Sequence, residues 1–322
     1  MEIITGTFPP KPAEPPVKDA WGRSVISLLL FVTLYYFTFD RSPKYIAMLV
    51  GVLLLHEMGH FTAMRICGYK EVKMFFIPFF GAMVTGSKHE VSQKERSVIL
   101  LAGPVPGILL GCALVMYCYY TTYDTGIMTC ARMLIWINVF NLAPVNPLDG
   151  GRLIENLFFR ANKAVQVGFI SLSAVAFVAF AVYYENYILC IIPGLMIGGI
   201  KRIDNLSKVR KKLDELHVDY KKTYAELSDR EYWLIRQQVK IELSNSSMDA
   251  PSQWDPSKET AITINMVKGT LQEKLVNDTS APGKVFVLFV WLASIALSVY
   301  FILLARHMYA GYISQNGVFF SR

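Results

Sequence analysis

The chain has 322 residues, a formal net charge of +7 and a mean hydropathy of +0.35, and 53% of its residues are hydrophobic. This composition is too apolar for an ordinary soluble protein, and several apolar runs are as long as a bilayer is thick. In such a chain excess lysine and arginine is typical of cytoplasmic loops, so the charge does not indicate a nucleic-acid partner. The five cysteines are scattered through apolar segments, which argues against a disulfide framework.

Apolar length and flanking charge predict an all-α polytopic membrane protein with about six to seven transmembrane segments. The sixth candidate is short and interrupted by Pro193-Gly194, so it either spans the membrane or is re-entrant. In chain order the candidate spans cover residues 24–39, 45–67, 98–120, 127–144, 164–184, 187–200 and 285–305.

A short apolar segment at residues 73–86 does not fit this helical pattern. It is too short to cross as a helix, and Pro78 and Gly81 interrupt it. We predict that it is a β-hairpin or re-entrant element packed beside the polar residues His56 to His60 of the preceding span.

The predicted organisation has four parts. Residues 1–20 are rich in proline and are expected to be disordered, and residues 21–200 form a membrane-embedded core. Residues 201–283 form a soluble, partly helical segment, and residues 284–322 a transmembrane helix and tail. Placing the N-terminus in the cytoplasm and alternating the spans puts most lysines and arginines on the cytoplasmic side. If residues 187–200 are re-entrant, everything after them changes side.

Within the soluble segment, two local patterns stand out. Ser228 followed three residues later by Glu231 predicts a capping box at the start of a helix. Residues 244–257 are rich in Ser, Asn, Asp and Pro, which favours a linker.

The second span contains the sequence His56-Glu57-Met58-Gly59-His60, which reads H-E-x-x-H. On a helix His56 and His60 are one turn apart and share a face, so both imidazoles can reach one metal ion. This spacing is typical of zinc-dependent peptidases, with Glu57 as the general base. A glutamate and two histidines in a membrane span are costly unless they serve a site.

A catalytic zinc takes three protein ligands, and Asp149 is the best candidate for the third. It follows Pro144 and Pro147, which break the fourth span, and it precedes Gly150-Gly151, which permits a tight turn. A turn aspartate before two glycines is the alternative interpretation, since such residues are common at helix ends.

These motifs together resemble the site-2 protease family of intramembrane zinc metalloproteases, in the branch without an evident PDZ insertion. The matching features are the H-E-x-x-H motif, Leu101-Ala102-Gly103-Pro104, and residues 141–150 with their Leu148-Asp149-Gly150 core. The resemblance implies one zinc ion held by His56, His60 and Asp149, with Glu57 as base. It also implies that Asn141 holds the substrate strand or the oxyanion, although a helix-ending or interhelical role remains open for this residue. The family's substrate-binding edge strand would correspond to residues 75–86.

The function implied by the resemblance is hydrolysis of peptide bonds in membrane-anchored proteins, for regulated proteolysis or for clearance of signal-peptide remnants. The expected partners are a transmembrane protein or peptide substrate and the lipid bilayer, with no nucleic acid and an undetermined oligomeric state. We expect a bacterial inner membrane with the N-terminus in the cytoplasm. Two alternatives stay open: a membrane H-E-x-x-H peptidase that trims lipidated substrates, and a non-catalytic metal-binding chaperone or transporter.

Overall fold

The computed structural model describes residues 8–13, 20–38, 42–77, 81–88, 90–159, 162–185, 187–244, 261–271 and 274–316. The chain divides into two compact units. We call one the span unit, which comprises Asp19–Lys88, Ser92–Ile170 and Asn277–Arg322. The other, the helical unit, comprises Met1–Lys18, His89–Val91 and Ser171–Val276.

Helices make up most of the described residues, as the sequence predicts. In chain order they are α1 (Ala20–Thr38), α2 (Pro43–Ile66), α3 (Gln93–Ala102), α4 (Pro104–Tyr120), α5 (Thr125–Asn141), α6 (Asp149–Ile154), α7 (Lys163–Tyr183), α8 (Ile191–Glu215), α9 (Asp229–Ser244), α10 (Ala261–Thr270) and α11 (Ala281–Asn316). A π-helical turn (Glu155–Phe159) continues α6, and a 3-10 turn (Tyr187–Cys190) precedes α8.

Four helical segments in the described part are long and apolar enough to cross a membrane, and one of them consists of α3 and α4 together. They cover Pro43–Ile66, Gln93–Tyr120, Lys163–Tyr183 and Ala281–Ser314, and a shorter apolar helix covers Ser24–Phe37. The prediction of a polytopic, mainly helical membrane protein is therefore confirmed. The predicted number of six to seven spans also counts α1, α5 and the start of α8, and it stays a prediction.

The predicted β-hairpin is present. Strand β1 (Lys70–Ile77) pairs antiparallel with β2 (Gly81–Ser87), with an irregularity between Lys70 and Lys73. The sequence analysis did not predict the second two-stranded sheet, formed by β3 (Glu90–Ser92) and β4 (Lys274–Val276). Both strands have three residues, too few for an alternating pattern to stand out.

The expected interruption at Pro193-Gly194 is wrong, because both residues lie inside α8. Pro193 occupies the first turn of the helix, where a missing backbone N–H breaks no intrahelical hydrogen bond. The helix then runs across residue 200 and ends only at Glu215.

The core of the span unit lies where α4, α5 and α11 meet. Its fully buried residues include Ile108, Val115, Met128 and Ile135, and Ala305 of α11 packs against the same cluster. Helix α11 also reaches the end of α5, because Trp291 Nε1 donates to the Leu142 carbonyl oxygen at 2.9 Å.

The helical unit has a core of its own, built around Tyr232, Trp233, Val209 and Leu213. The predicted capping box is present at the start of α9: Glu231 N–H donates to Ser228 Oγ at 3.3 Å, and Ser228 N–H donates to Glu231 Oε2 at 2.8 Å. Most of the predicted linker at 244–257 falls outside the described residues.

The structure differs from the expected disorder of the N-terminus in one stretch. Residues 8–13 are described and hydrogen-bond to the rest of the helical unit, and Pro12 is buried there. Three prolines restrict this stretch in the unfolded chain, so ordering it costs less entropy than its composition suggested. Residues 1–7 and 14–19 lie outside the described part.

Candidate metal centre

Three side chains that come from two parts of the sequence far apart in the chain place their donor atoms in a compact triangle. His56 and His60 lie one turn apart on α2, and Asp149 is the first residue of α6. The His56 and His60 Nε2 atoms are 3.1 Å apart. Asp149 Oδ2 is 3.1 Å from His56 Nε2 and 3.2 Å from His60 Nε2. All three residues are buried, as expected of a site that excludes bulk solvent.

The far nitrogen of each imidazole is engaged in a hydrogen bond, so the ring orientation is fixed. His56 Nδ1 lies 2.8 Å from Asn138 Oδ1 on α5, and His60 Nδ1 lies 2.8 Å from the Ile99 carbonyl oxygen on α3. Both partners are acceptors, so each Nδ1 carries the proton and donates it. Each Nε2 is then left with a lone pair that points toward the other two donor atoms.

Close helix packing at Gly103 and Gly107 makes room for these rings. A Cβ atom at Gly103 would collide with the His60 ring, including Nε2. A Cβ atom at Gly107 would collide with the Asn138 side chain that contacts His56. Gly103 and Gly107 are therefore required because a larger residue at either position would displace the His60 ring or the Asn138 side chain.

The loop after α5 brings Asp149 to the two histidines. Helix α5 ends at Asn141, and the Leu142 carbonyl oxygen is held by Trp291 of α11. Gly150 and Gly151 lie inside α6, which corrects the expectation that they form a turn. A Cβ atom at either position would collide with the backbone of residues 142–146, so both serve a close approach of helix and loop.

A buried polar network connects α3 to the π-helical turn that follows α6. Gln93 Nε2 donates to the Asn156 carbonyl oxygen at 2.6 Å, and Asn156 Nδ2 donates to the Gln93 carbonyl oxygen at 3.0 Å. Asn156 Nδ2 also donates to Ser97 Oγ at 3.0 Å. Such a satisfied network is directional, so it fixes the position of the turn after α6 relative to α3.

The two other predicted site residues are Glu57 and Asn141, and their surroundings differ. Glu57 is buried on α2, next to His56 in the sequence. Asn141 is half-buried at the end of α5, where its Nδ2 donates to the Ile137 carbonyl oxygen at 3.1 Å. The roles predicted for both residues stay predictions.

The donor set and its spacing fit a zinc ion. Two imidazole nitrogens and one carboxylate oxygen form a ligand set found in catalytic zinc sites, which leave a fourth position for water or substrate. Ligand atoms about 2.0–2.2 Å from zinc in a tetrahedral arrangement are about 3.3 Å from one another. The three observed separations of 3.1, 3.1 and 3.2 Å are close to that value. Second hydrogen bonds on both imidazoles are the usual companions of metal-ligating histidines.

Sequence reasoning missed Asn138, whose side chain contacts the proposed ligand His56. Its one signal is its position three residues before Asn141, on the same apolar helix. A second amide in a span indicates a polar partner inside the protein. The sequence does not indicate that the partner is His56, which is 82 positions away.

The fold and the site together define a class: a helical, membrane-type protein with a His-His-Asp centre suited to zinc, built on an H-E-x-x-H helix. Comparison with known proteins confirms the predicted resemblance. Residues 44–123 match the model of Peptidase family M50, which is the site-2 protease family. The matched segment contains the H-E-x-x-H motif and ends before Asp149.

Two curated relatives match a longer part of the chain. Stage IV sporulation protein FB of Bacillus subtilis is 27% identical over 126 residues, which are 36% of this chain and 40% of that protein. Zinc metalloprotease MJ0392 of Methanocaldococcus jannaschii is 24% identical over 136 residues, which are 41% of this chain and 38% of that protein. The chain therefore spans about two fifths of the length of these relatives.

A solved structure, the Site-2 Protease from Methanocaldococcus jannaschii, is also similar to this chain. The two are 19% identical with a TM-score of 0.40, and the match covers 56% of this chain and 87% of that one.

Proposed function

We propose that this protein is an intramembrane zinc metalloendopeptidase that hydrolyses peptide bonds of membrane-anchored protein substrates. One zinc ion would be held by His56, His60 and Asp149. The observation that carries the proposal is the triangle of buried donor atoms with edges of 3.1–3.2 Å. The match to a peptidase family and the name of one relative as a zinc metalloprotease support the same reaction.

The chemistry is divided between the ion and the protein. A bound zinc ion supplies Lewis-acid chemistry that makes water a better nucleophile at neutral pH. Glu57 takes the proton of the attacking water and passes it to the leaving amine, because it is a buried carboxylate next to His56 on α2 and is not a proposed ligand. Asn141 is the proposed donor to the substrate strand or to the oxygen that becomes negatively charged.

The hairpin supports uptake of an unwound substrate by strand addition at β2. Helix α1 already engages the outer edge of β1: Ser24 Oγ donates to the Met74 carbonyl oxygen at 2.5 Å, and Phe76 N–H donates to Ser27 Oγ at 3.0 Å. Along an antiparallel ladder, successive residue pairs alternate. In one pair the backbone N–H and C=O groups point at the partner strand, and in the next pair they point away from it. Val84 is paired with Met74, so its N–H and C=O point away from β1 and can pair with an extended peptide.

The bilayer and the sidedness of the chain complete the proposal. We assign the protein to a bacterial inner membrane with its N-terminus in the cytoplasm, because the lysines and arginines then collect on the cytoplasmic side. The substrates would be transmembrane proteins or peptides, cleaved to release a regulator or to clear a signal-peptide remnant.

Metal content is the direct test of the proposed ligand set. Purified wild-type protein should contain about one zinc ion per chain. Asp149→Asn should lose most of that zinc, while Asp204→Asn, which changes an exposed carboxylate on α8, should retain it. If Asp149→Asn binds zinc as tightly as the wild type, the proposed ligand set is wrong.

A further inference from the structure

The N-terminal segment Phe8-Pro9-Pro10-Lys11-Pro12-Ala13 lies on the helical unit without helical or strand structure. Pro9, Pro10 and Pro12 restrict the backbone to φ near −65°, which favours the polyproline II conformation. That helix has three residues per turn, so Pro9 and Pro12 share one face and Phe8 and Lys11 share another. Both faces have partners in the helical unit.

Two aromatic side chains hydrogen-bond to the backbone carbonyl oxygens of Pro9 and Pro12. Trp233 Nε1 donates to the Pro9 carbonyl oxygen at 2.8 Å, and the Tyr224 hydroxyl donates to the Pro12 carbonyl oxygen at 2.8 Å. The two acceptors, Pro9 and Pro12, are three residues apart, which is one turn of a polyproline II helix. Aromatic-lined grooves with such donors are a recurrent way of binding proline-rich segments. Phe8 packs against the hydrophobic core of the same unit.

The Lys11 ammonium is held in a cage of backbone carbonyl oxygens. Lys11 Nζ donates to the carbonyl oxygens of Tyr224 at 3.0 Å, Ala225 at 2.8 Å and Leu227 at 2.6 Å. An ammonium group has three N–H donors, so the cage satisfies all of them. The Tyr224 ring adds a cation–π contact, with its centroid 5.5 Å from Nζ.

The backbone of the segment is recognised as well. Lys11 N–H is the only backbone donor between Pro9 and Pro12, because proline has none. It donates to Asp229 Oδ1 at 2.7 Å. The compact, threefold cage suits an ammonium group, whereas a planar guanidinium would present its donors in the wrong directions.

We propose that residues 224–233 of the helical unit form a binding site for a lysine-containing polyproline II segment, and that the chain's own residues 8–13 are its resident ligand. The site selects a Pro-x-Lys-Pro pattern. Trp233 and Tyr224 bind the carbonyl oxygens of the two outer prolines, which are three residues apart, and the backbone carbonyl cage binds the lysine. Because ligand and site belong to one chain, the high effective concentration favours the resident segment over free competitors. This site is independent of the proposed metal chemistry.

The bound segment constrains membrane topology. Residues 8–13 and 224–233 must lie on the same side of the bilayer, so the chain between them crosses an even number of times. The helices α1, α2, α3 with α4, α5 and α7 provide five crossings if each segment spans once. The segment at residues 187–200 would then provide the sixth and would span the membrane.

A competition experiment on the full chain tests the site. Lys11→Met removes the ammonium group at similar length, so the resident segment should detach. A labelled free peptide of residues 7–15 should then bind this variant in lipid nanodiscs at least about tenfold more tightly than it binds the wild type, as measured by fluorescence anisotropy. Lys201→Met, which changes an exposed lysine of the same unit, should behave like the wild type.

Peptide variants test the recognition pattern. The same peptide carrying Lys11→Met should bind the vacated site at least about tenfold more weakly than the native peptide. Pro12→Ala should weaken binding more than Pro10→Ala, since Pro12 is buried and Pro10 is exposed, although both lose the same ring. Equal affinity of the native and Lys11→Met peptides would overturn the proposal, as would equal binding of the native peptide to wild-type and Lys11→Met protein.

Hydrogen exchange on the wild-type protein tests the proposal without a variant, and so it also serves if the Lys11→Met protein does not fold. The Lys11 amide should exchange at least about tenfold more slowly in the protein than in the free peptide, because it is bonded to Asp229. Free peptide at a concentration above the effective concentration of the resident segment should speed this exchange by displacing the segment. An unprotected Lys11 amide in the wild type would rule out a resident ligand.

Discussion

His56 Nδ1 and Asn138 Oδ1 lie 2.8 Å apart, in a buried contact between α2 and α5. The amide oxygen can only accept, so the proton of His56 is placed on Nδ1 and the lone pair on Nε2. Asn138 Nδ2 in turn donates to the Leu134 carbonyl oxygen at 2.7 Å, which fixes the side chain in this orientation. Asn138 is thus a positioning residue for the proposed ligand His56.

Replacing Asn138 should weaken zinc binding without removing a ligand. We expect Asn138→Leu to lower zinc affinity by about 10- to 100-fold, because His56 loses the acceptor that fixes its tautomer and ring orientation. Competition with a chromogenic chelator measures this affinity. Asn141→Leu is the matched control, three residues further along α5, and should bind zinc as the wild type does. Unchanged affinity in Asn138→Leu would contradict the positioning role.

A single methyl group at Gly103 should disrupt the site. The Cβ atom of Gly103→Ala would overlap the His60 ring at Nε2, so either the ring or α4 must move. We expect a loss of zinc comparable to that in Asp149→Asn. Gly51→Ala on α2 is the control, since a Cβ atom there meets nothing within 4 Å. If Gly103→Ala and Gly51→Ala retain equal zinc, the packing described for His60 is incorrect.

The sequence predicts the local parts of this site better than their assembly. H-E-x-x-H places His56 and His60 on one helix face because helical periodicity is a local property. The hairpin and the capping box at Ser228 are local patterns of the same kind. The pairing of Asn138 with His56 is not predictable in this way, because it depends on how close α2 and α5 approach. The bound N-terminal segment was missed for a similar reason, since proline-rich composition alone indicates no partner.

The outer edge of β2 offers a test of substrate uptake. Val84→Pro removes an N–H that points away from β1, so the hairpin should persist while strand addition loses a hydrogen bond. We expect cleavage of a membrane-anchored substrate to fall by about tenfold, for a loss of roughly 1–1.5 kcal/mol. Zinc content should not change. Val84→Ala keeps the N–H and should retain most activity; equal activity of Val84→Pro and Val84→Ala would exclude β2 as the substrate edge.

The stability of the start of α9 should decrease in acid because Glu231 becomes protonated. Burial opposes its ionisation, but hydrogen bonds from the Lys222 ammonium and from Ser228 outweigh burial and lower the pKa of Glu231. A carboxyl group with a lowered folded-state pKa contributes stability above its unfolded pKa of about 4.3, and this contribution is lost as the pH falls through the folded value.

Amide protection of α9 should therefore decrease on acidification more in the wild type than in Glu231→Gln. The difference at neutral pH should be at most about 1 kcal/mol, because solvent screens this pair. Hydrogen exchange of the full chain at several pH values, corrected for intrinsic rates, measures it. The same pH dependence in both proteins would show that Glu231 contributes no ionic stabilisation.

The central claim is that a zinc site on α2 and α6 hydrolyses peptide bonds with Glu57 as the base. The most direct measurement compares zinc content and cleavage in wild type and Glu57→Gln, using purified protein in bilayers with a set of single-span substrates. Glu57→Gln preserves shape and leaves the three proposed ligands in place. We predict full zinc content with cleavage reduced by at least about 100-fold. Unchanged cleavage in a zinc-loaded Glu57→Gln protein would contradict the proposed mechanism.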